Sequence, residues 1–244
     1  AEMLADAPVA HVARGRALGR LNVLHGKRLF LHGQADEAVD AWLAGVRFSR
    51  HLTEGGPWLS ALVASAGLEI HFRALAAAEG QGKLSAESRG DIERELEAMP
   101  VDGFDWSAAV HREATTLSGL ASHIAAAEDP LAMLSDYFDS GHGPNSKERL
   151  ADLLGLPVGK IDDPAAVRAA LLRTRDAVDR LRPVAVAAFQ EPYADSIEAL
   201  REVDARAAED PTLDKVWPRA FRMNERRGRL VEARAELLQQ LRDR

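Results

Sequence analysis

The sequence has no cysteine, few aromatic residues and no apolar run that is long enough to cross a bilayer. Without cysteine the chain can form no disulfide, no thiolate nucleophile and no Cys-ligated zinc site. A membrane-spanning helix needs about 18 consecutive apolar residues, so we expect no membrane span. Aromatic residues make up only 5% of the chain and β-branched runs are scarce, so no segment predicts a strand.

Positive charge is also in deficit. The formal net charge is −7 at pH 7 and the pI is about 5.7. Because a general nucleic-acid binder needs a surplus of Lys and Arg on one face, the composition argues against a nucleic-acid partner. The sequence also lacks HExxH, GxSxG and P-loop motifs, so it predicts no catalytic residue, no metal ligand and no cofactor.

Helix-forming residues dominate the chain, above all Ala, Leu, Arg and Glu. Helix start signals recur: Asp105, Asp129 and Asp163 are suited to N-cap positions, and a proline that fits a first helical turn follows the last two. We therefore predict an all-α fold. With 244 residues the chain can form one large domain or two small ones.

Residues 22–48 carry the most specific pattern in the chain. Leu21, Leu24, Arg28 and Leu31 share one side of a predicted helix, and Gly26 on its flank allows a neighbouring helix to approach closely. Three glycines interrupt this helix, which begins near Pro8 and ends at about His32, so we expect it to be buried. The glycines are Gly15, Gly19 and Gly26.

A second helix follows the glycine turn at Gly33, which is suited to a helix end. Ala38, Trp42 and Gly45 recur on it at three- and four-residue spacing, which predicts a small–large–small surface. The first helix can pack against this surface in antiparallel orientation. The pattern therefore predicts a two-helix hairpin.

These residues resemble one tetratricopeptide (TPR) repeat, whose unit is a pair of antiparallel helices. Gly26, Ala38 and Gly45 match its small positions and Trp42 its large aromatic position, whereas Leu29 occupies a position that is often aromatic. Asn22 stands where the repeat often has tryptophan, and Arg50 where it often has proline. The resemblance covers about residues 22–50. It implies a right-handed TPR-like array of antiparallel hairpins with degenerate C-terminal helices.

The rest of the chain predicts a succession of helices, similar to bacterial helical-repeat proteins in which one TPR-like unit leads a degenerate array. A helix from Pro57 to about Glu79 has two apolar faces and should be central. Pro183 should kink or end a helix that starts at Pro164, and further helices should start near Pro192 and Pro218. The glycine-rich segment 139–146 is the candidate boundary between parts 1–138 and 139–244, which together form one continuous array.

Four arginines near the C-terminus form a candidate partner-binding site. Arg219, Arg222, Arg226 and Arg229 recur at three- and four-residue spacing and so form one basic stripe on the last helix. Carboxylates or phosphates of a partner could dock there. Alternatively, the stripe reflects the compositional excess of arginine or pairs with acidic helices such as residues 198–204.

Two other constellations are candidate sites of chemistry. His11, His25 and His32 lie on one side of the first helix, but separations of about 21 and 10.5 Å along its axis are too large for one metal ion. The loop side chains of Asp136, Asp139, His142 and Asn145 could form an active-site loop. Glycine and polar residues are also typical of a mobile connector, which is the favoured interpretation.

The sequence thus favours a noncatalytic helical-repeat scaffold that binds a protein or peptide partner on a concave face. The alternative is an enzyme or small-ligand binder with a pocket between helices near residues 136–145. The chain begins AEMLADAP without an initiating Met, which indicates either a removed leader or residues left from a tag. Cytoplasmic and exported locations are both compatible with this start.

Overall fold

The computed structural model describes residues 7–56, 58–138, 146–217 and 219–243, with side chains from residue 14 onwards except those of residues 138 and 146. The protein is 80% helical. No strand occurs in these ranges. The predicted all-α class is therefore confirmed.

Eleven α-helices and one short 3₁₀ helix make up the described part of the chain. In chain order the α-helices are α1 Ala7–Leu31, α2 Ala35–His51, α3 Trp58–Gly80, α4 Ala86–Ala98, α5 Trp106–Ala126, α6 Pro130–Phe138, α7 Ser146–Leu154, α8 Pro164–Gln190, α9 Ile197–Ala207, α10 Leu213–Val216 and α11 Ala220–Arg242. The 3₁₀ helix, Val158–Lys160, precedes α8.

Helix ends follow the local signals of the sequence. Asp105 accepts a hydrogen bond from the Ala108 backbone N–H at 3.0 Å, and Asp129 and Asp163 cap α6 and α8 in the same manner. After α1, Gly33 takes a φ of +82° while the Gln34 N–H donates to the Leu29 carbonyl at 3.0 Å. This is a Schellman ending, which requires the left-handed conformation that glycine adopts at little cost.

The prediction that Pro183 could end its helix was wrong, because α8 continues to Gln190. A proline removes one backbone hydrogen bond and costs about 3 kcal/mol inside a helix. Buried side chains lie on both sides of it, with Leu181 before and Ala185 and Phe189 after. Their burial offsets the cost, so tertiary packing overrides the local signal.

The chain divides into two compact units. Unit 1 consists of Ala1–Ala109 together with Met223–Arg244, and unit 2 is Val110–Arg222. The boundary predicted at 139–146 lies, except for Ser146, outside the described residues and stays a prediction.

The core of unit 1 forms where α1, α2 and α3 pack on one another. Trp42 of α2 is 2% exposed, and its indole N–H donates to the Val23 carbonyl of α1 at 3.3 Å. The ring of Phe30, the residue after Leu29, lies 6.1 Å from that of Trp42. The aromatic partner of Trp42 is therefore one position later than the repeat pattern predicted.

Unit 2 has an apolar core of its own. Its buried residues come from the end of α5, from α6 and α7 and from the first half of α8. Five residues of α8 at three- and four-residue spacing are buried and face the core: Val167, Leu171, Thr174, Val178 and Leu181.

The expectation that no apolar helix is long enough to span a bilayer needs correction, whereas the absence of a membrane span stays a prediction. Within the described residues, α3 is both long enough and apolar enough to span a bilayer by length and composition. Half of its most apolar window is nevertheless buried inside the protein. Helix α3 has two apolar faces, which explains its high hydropathy. One face is covered by the protein, and the other lines a groove.

Candidate functional site

Helix α1 packs with its smallest residues inward. Gly15, Gly19 and Gly26 are buried together with Val23 and Phe30, and this stripe faces α2 and α3. Helices can approach closely only where side chains are small. The glycines that interrupt the sequence pattern of α1 are therefore its packing face.

Two close approaches make glycine obligatory. A Cβ added at Gly26 would lie 2.3 Å from the Trp42 indole nitrogen, and a Cβ at Gly45 would lie 2.0 Å from Nε2 of His71. Both distances are far below van der Waals contact. The sequence pattern correctly predicted close helix contacts at these two glycines. The structure adds that the residue accommodated by Gly45 is His71 of α3.

A buried histidine links the three helices of this bundle. The Nδ1–H of His71 donates to the Gly67 carbonyl at 2.6 Å, and a 2.9 Å hydrogen bond joins its Nε2 to the side-chain amide of Asn22. Burial lowers the pKa of His71, against the opposing effect of the hydrogen bond to Gly67. Asn22, which departs from the repeat pattern, is thus the polar partner of His71. Sequence reasoning missed this pair because the two residues lie 49 positions apart.

Four leucines lie on the outward face of α1, together with the cations Arg14 and Arg28. Leu18, Leu21, Leu24 and Leu31 are between 54% and 84% exposed. They are four of the seven large apolar side chains that are exposed in the described part of the chain. The expectation of a buried α1 was therefore wrong for this face: the glycines lie on the buried side of α1, and the leucines on the other side are exposed within the described part of the chain.

A groove runs between α1 and α3. A depression of about 450 Å³ has Val23 and Leu24 on one wall and Ile70, Ala74 and Ala77 on the other. A second depression of about 190 Å³ continues the groove. It begins at Gly15 on α1 and shares the lining residues Arg20, Ile70 and Arg73 with the first. The groove thus has an apolar floor built from both helices.

Cations surround this groove. Helix α1 contains five basic residues and no acidic one: Arg14, Arg16, Arg20, Lys27 and Arg28. Arg20 and Lys27 line the groove, and among the described residues neither has an ion-pair partner. Arg73 lies opposite on α3 and pairs with Glu69. The site is therefore locally basic in a chain whose net charge is −7.

The predicted arginine stripe is only partly free. Arg219 lies before α11 and bonds Asp214 at 2.8 Å. Arg222, Arg226 and Arg229 are exposed on α11, and none forms an ion pair within the described residues. These three have the exposure that a partner site needs, and their role stays a prediction.

The acidic segment that could have neutralised the stripe has another role. Asp204 accepts hydrogen bonds from the backbone N–H groups of Ala220 and Phe221 at 2.6 and 3.1 Å, so it caps α11. Burial raises the pKa of Asp204, whereas these hydrogen bonds and the charges of Arg219 and Arg222 lower it. Asp204 therefore stabilises the helix start and does not form an ion pair with the stripe.

A different arginine of α11 is buried. Arg227 is 2% exposed and its Nε donates to Asp102 at 2.6 Å. Arg234 donates twice to the Leu96 carbonyl, at 3.0 and 2.7 Å. Helical spacing alone could not separate these structural arginines from the exposed ones, because the register of α11 against its neighbours is set by packing.

The other candidate sites have little support from geometry. Residues 139–145, with three of the four side chains of the proposed active-site loop, lie outside the described residues, and Asp136 is exposed at the end of α6. The described side chains include no group of three that could hold a metal ion. A further depression of about 430 Å³ in unit 2 is lined by three arginines, of which Arg173 bonds Asp210 and Arg206 bonds Glu202.

Comparisons with protein-family models, with curated proteins and with solved structures gave no match for this chain.

Proposed function

We propose that the protein is a noncatalytic helical scaffold that binds a protein or peptide partner through unit 1. The outward leucine face of α1 carries the proposal. Large apolar side chains that share one helix face and remain exposed are characteristic of interaction sites, since a monomer otherwise buries such a face. We call Leu18, Leu21, Leu24 and Leu31 the leucine face.

A TPR-like hairpin at the N-terminus is part of this proposal. Three close approaches support it: Gly15 to Leu52, Asn22 to Gly45 and Gly26 to Trp42. The α1 residue numbers rise as the α2 numbers fall, which is the order expected of antiparallel helices. The two helices are joined by the short turn at Gly33, and small residues lie at the contacts, as in the repeat.

The proposal extends this hairpin to a degenerate array with a right-handed arrangement. Its basis is the succession of helices joined by short connections, together with the groove between α1 and α3. Stacked helical hairpins build extended concave surfaces for partners. Open grooves lined by cations and apolar side chains suit a polypeptide better than a small substrate, which needs an enclosed pocket with converging polar groups.

The alternative, an enzyme or small-ligand binder near residues 136–145, has less support. Most of that loop lies outside the described residues. The cations around the unit 2 depression are largely engaged in ion pairs with neighbouring carboxylates. We therefore favour the scaffold.

Selection from a displayed peptide library tests the proposal. Wild-type protein and a Leu21→Gln/Leu24→Gln double variant are used as parallel baits. Both leucines are 61% exposed, so the double variant should fold like wild type. We expect peptides that are enriched on wild type and lose at least about tenfold in affinity on the variant, since each leucine contributes about 1.5–3 kcal/mol when fully buried.

The matched control is Leu59→Gln, which replaces a leucine that is 41% exposed on α3 outside the lining of the groove. Circular dichroism and thermal unfolding establish that all variants are folded. Enrichment of no peptide, or of peptides that bind wild type and the double variant equally, would contradict the proposed function.

A further inference from the structure

We infer that the partner of the α1–α3 groove is an acidic amphipathic helix. This inference rests on the proposed function and adds the chemistry of the ligand. It follows from three properties of the groove: its apolar floor, its length and the sign of the charges along it.

The floor and length suit a short helix. The groove presents an apolar surface that includes small residues, so larger side chains of a ligand fit into it. This surface is formed by Val23, Leu24, Ile70, Ala74 and Ala77. From Gly15 to Lys27 the groove follows α1 for twelve residues, which is about 18 Å at 1.5 Å per residue. Three turns of a ligand helix have this length and present apolar anchors at i, i+3, i+4 and i+7.

The charges select acidic flanks on that ligand helix. Arg20 and Lys27 lie seven residues apart on α1, about two helical turns, and neither has a carboxylate partner among the described residues. Arg16 lies one turn before Arg20 in the second depression. A ligand with Glu or Asp beside its apolar stripe would pair with these cations, whereas a basic ligand would be repelled.

The concave shape favours a helix over a lipid surface. Basic amphipathic helices also bind anionic membranes, but they do so by placing their apolar face flat in the headgroup region. Here part of the apolar surface lies in a depression of about 450 Å³ between two helices, which a planar surface would fill poorly. A protruding ligand helix fills it.

Fluorescence anisotropy with two designed peptides tests the inference. Both peptides are three-turn amphipathic helices with the same leucine pattern, and one has glutamate where the other has lysine. We expect the acidic peptide to bind and the basic peptide to bind at least about tenfold more weakly. Binding of the acidic peptide should weaken as salt is added, because the contacts are between partly exposed charges.

Variants then locate the binding site. Arg20→Gln/Lys27→Gln should weaken binding of the acidic peptide by about five- to tenfold, since exposed ion pairs each contribute up to about 1 kcal/mol. Arg149→Gln/Lys160→Gln removes the same charge from exposed positions of unit 2 and serves as the matched control. We expect it to bind the acidic peptide like wild type.

The possible outcomes separate this inference from the proposed function. If both designed peptides bind equally and their binding requires the leucine face, the acidic ligand is overturned and the scaffold proposal stands. The same conclusion follows if neither designed peptide binds while library peptides still require the leucine face. Loss of binding in the unit 2 control alone overturns the groove as the binding site. Cosedimentation with vesicles of phosphatidylcholine and phosphatidylserine in equal parts, without peptide binding, overturns both proposals. Self-association that Leu21→Gln/Leu24→Gln abolishes also overturns the inference, because the occupant is then a second copy of the chain.

Discussion

The two longest helices of the protein, α1 in unit 1 and α8 in unit 2, use their side chains in opposite ways. In α8 the large apolar residues are buried and the arginines Arg173 and Arg180 face outward. In α1 glycines occupy much of the buried side, and four leucines are exposed. An ordinary amphipathic helix such as α8 stabilises its own unit, whereas α1 has an apolar face that its unit does not use.

This difference shows how one face of a helix can be closely packed while an apolar face on its other side stays exposed. The glycines let α1 lie close to α2 and α3, so backbone and small side chains fill the interface. The leucines are then available on the other side. Apolar residues occur in both helices, and the register of packing decides that they are mostly buried in α8 and largely exposed in α1.

Truncation of one leucine in each helix should show the largest contrast. Leu171→Ala in α8 removes a side chain that is 4% exposed and should lower the free energy of unfolding by about 3 kcal/mol. Leu24→Ala in α1 removes one that is 61% exposed and should change it by less than about 0.5 kcal/mol. Urea denaturation measures both. Similar losses in the two variants would mean that the leucine face is part of a core.

Glycine replacements should have opposite signs at different sites. Gly45→Ala places a Cβ 2.0 Å from His71 and should lower the free energy of unfolding by about 2 kcal/mol. Gly119→Ala in α5 meets no atom within 4 Å and should raise it by about 0.5–1 kcal/mol, because alanine favours helix. Thermal unfolding separates the two. A stabilised Gly45→Ala variant would contradict the close approach of α2 to α3.

The buried histidine should make stability depend on pH. Burial lowers the pKa of His71 below its ordinary value of 6.5. Between the folded and unfolded pKa values the unfolded chain binds more protons, so this group destabilises the folded state as pH falls below about 6.5 and has no effect above it. Urea denaturation across pH 5–8 should show this slope in wild type. His71→Gln should reduce it, and an unchanged slope in that variant would assign the effect to other groups.

Replacement of the exposed stripe should have the smallest effect on folding. Arg222→Gln/Arg226→Gln/Arg229→Gln removes three exposed charges that form no ion pair among the described residues, so the free energy of unfolding should change by less than about 0.5 kcal/mol. If the stripe is a partner site, binding of a selected peptide should weaken in this variant, and more so at low salt. Calorimetric titration at two salt concentrations measures this. Wild-type binding at both concentrations would retire the stripe as a site.

Much of the fold could be predicted from local signals. The N-caps at Asp105, Asp129 and Asp163 form as expected, because a cap needs only a side chain and backbone N–H groups two or three residues away. The helix end predicted as one outcome at Pro183 was wrong, because burial on both sides of the proline outweighs one lost hydrogen bond.

The candidate site could be predicted only in part. The sequence pattern predicted close contacts at Gly26 and Gly45, but it also predicted that the leucines of α1 lie in a buried helix. Two signals in the sequence could have corrected it: the glycines and leucines of α1 lie on different faces at 100° per residue, and its five cations are accompanied by no acidic residue. The pairing of Asn22 with His71 had no local signal at all.

The sequence by itself therefore determined the all-α class, most helix ends and the positions where helices must approach closely. These depend on interactions within a few residues and on helical periodicity. Only the tertiary structure decided which face of α1 is buried and which arginines of α11 are structural. It also decided that α1 and α3 line a basic groove. Each of these features depends on how helices distant in sequence pack together. Hydropathy alone does not distinguish the helix faces, and packing determines which of them is buried.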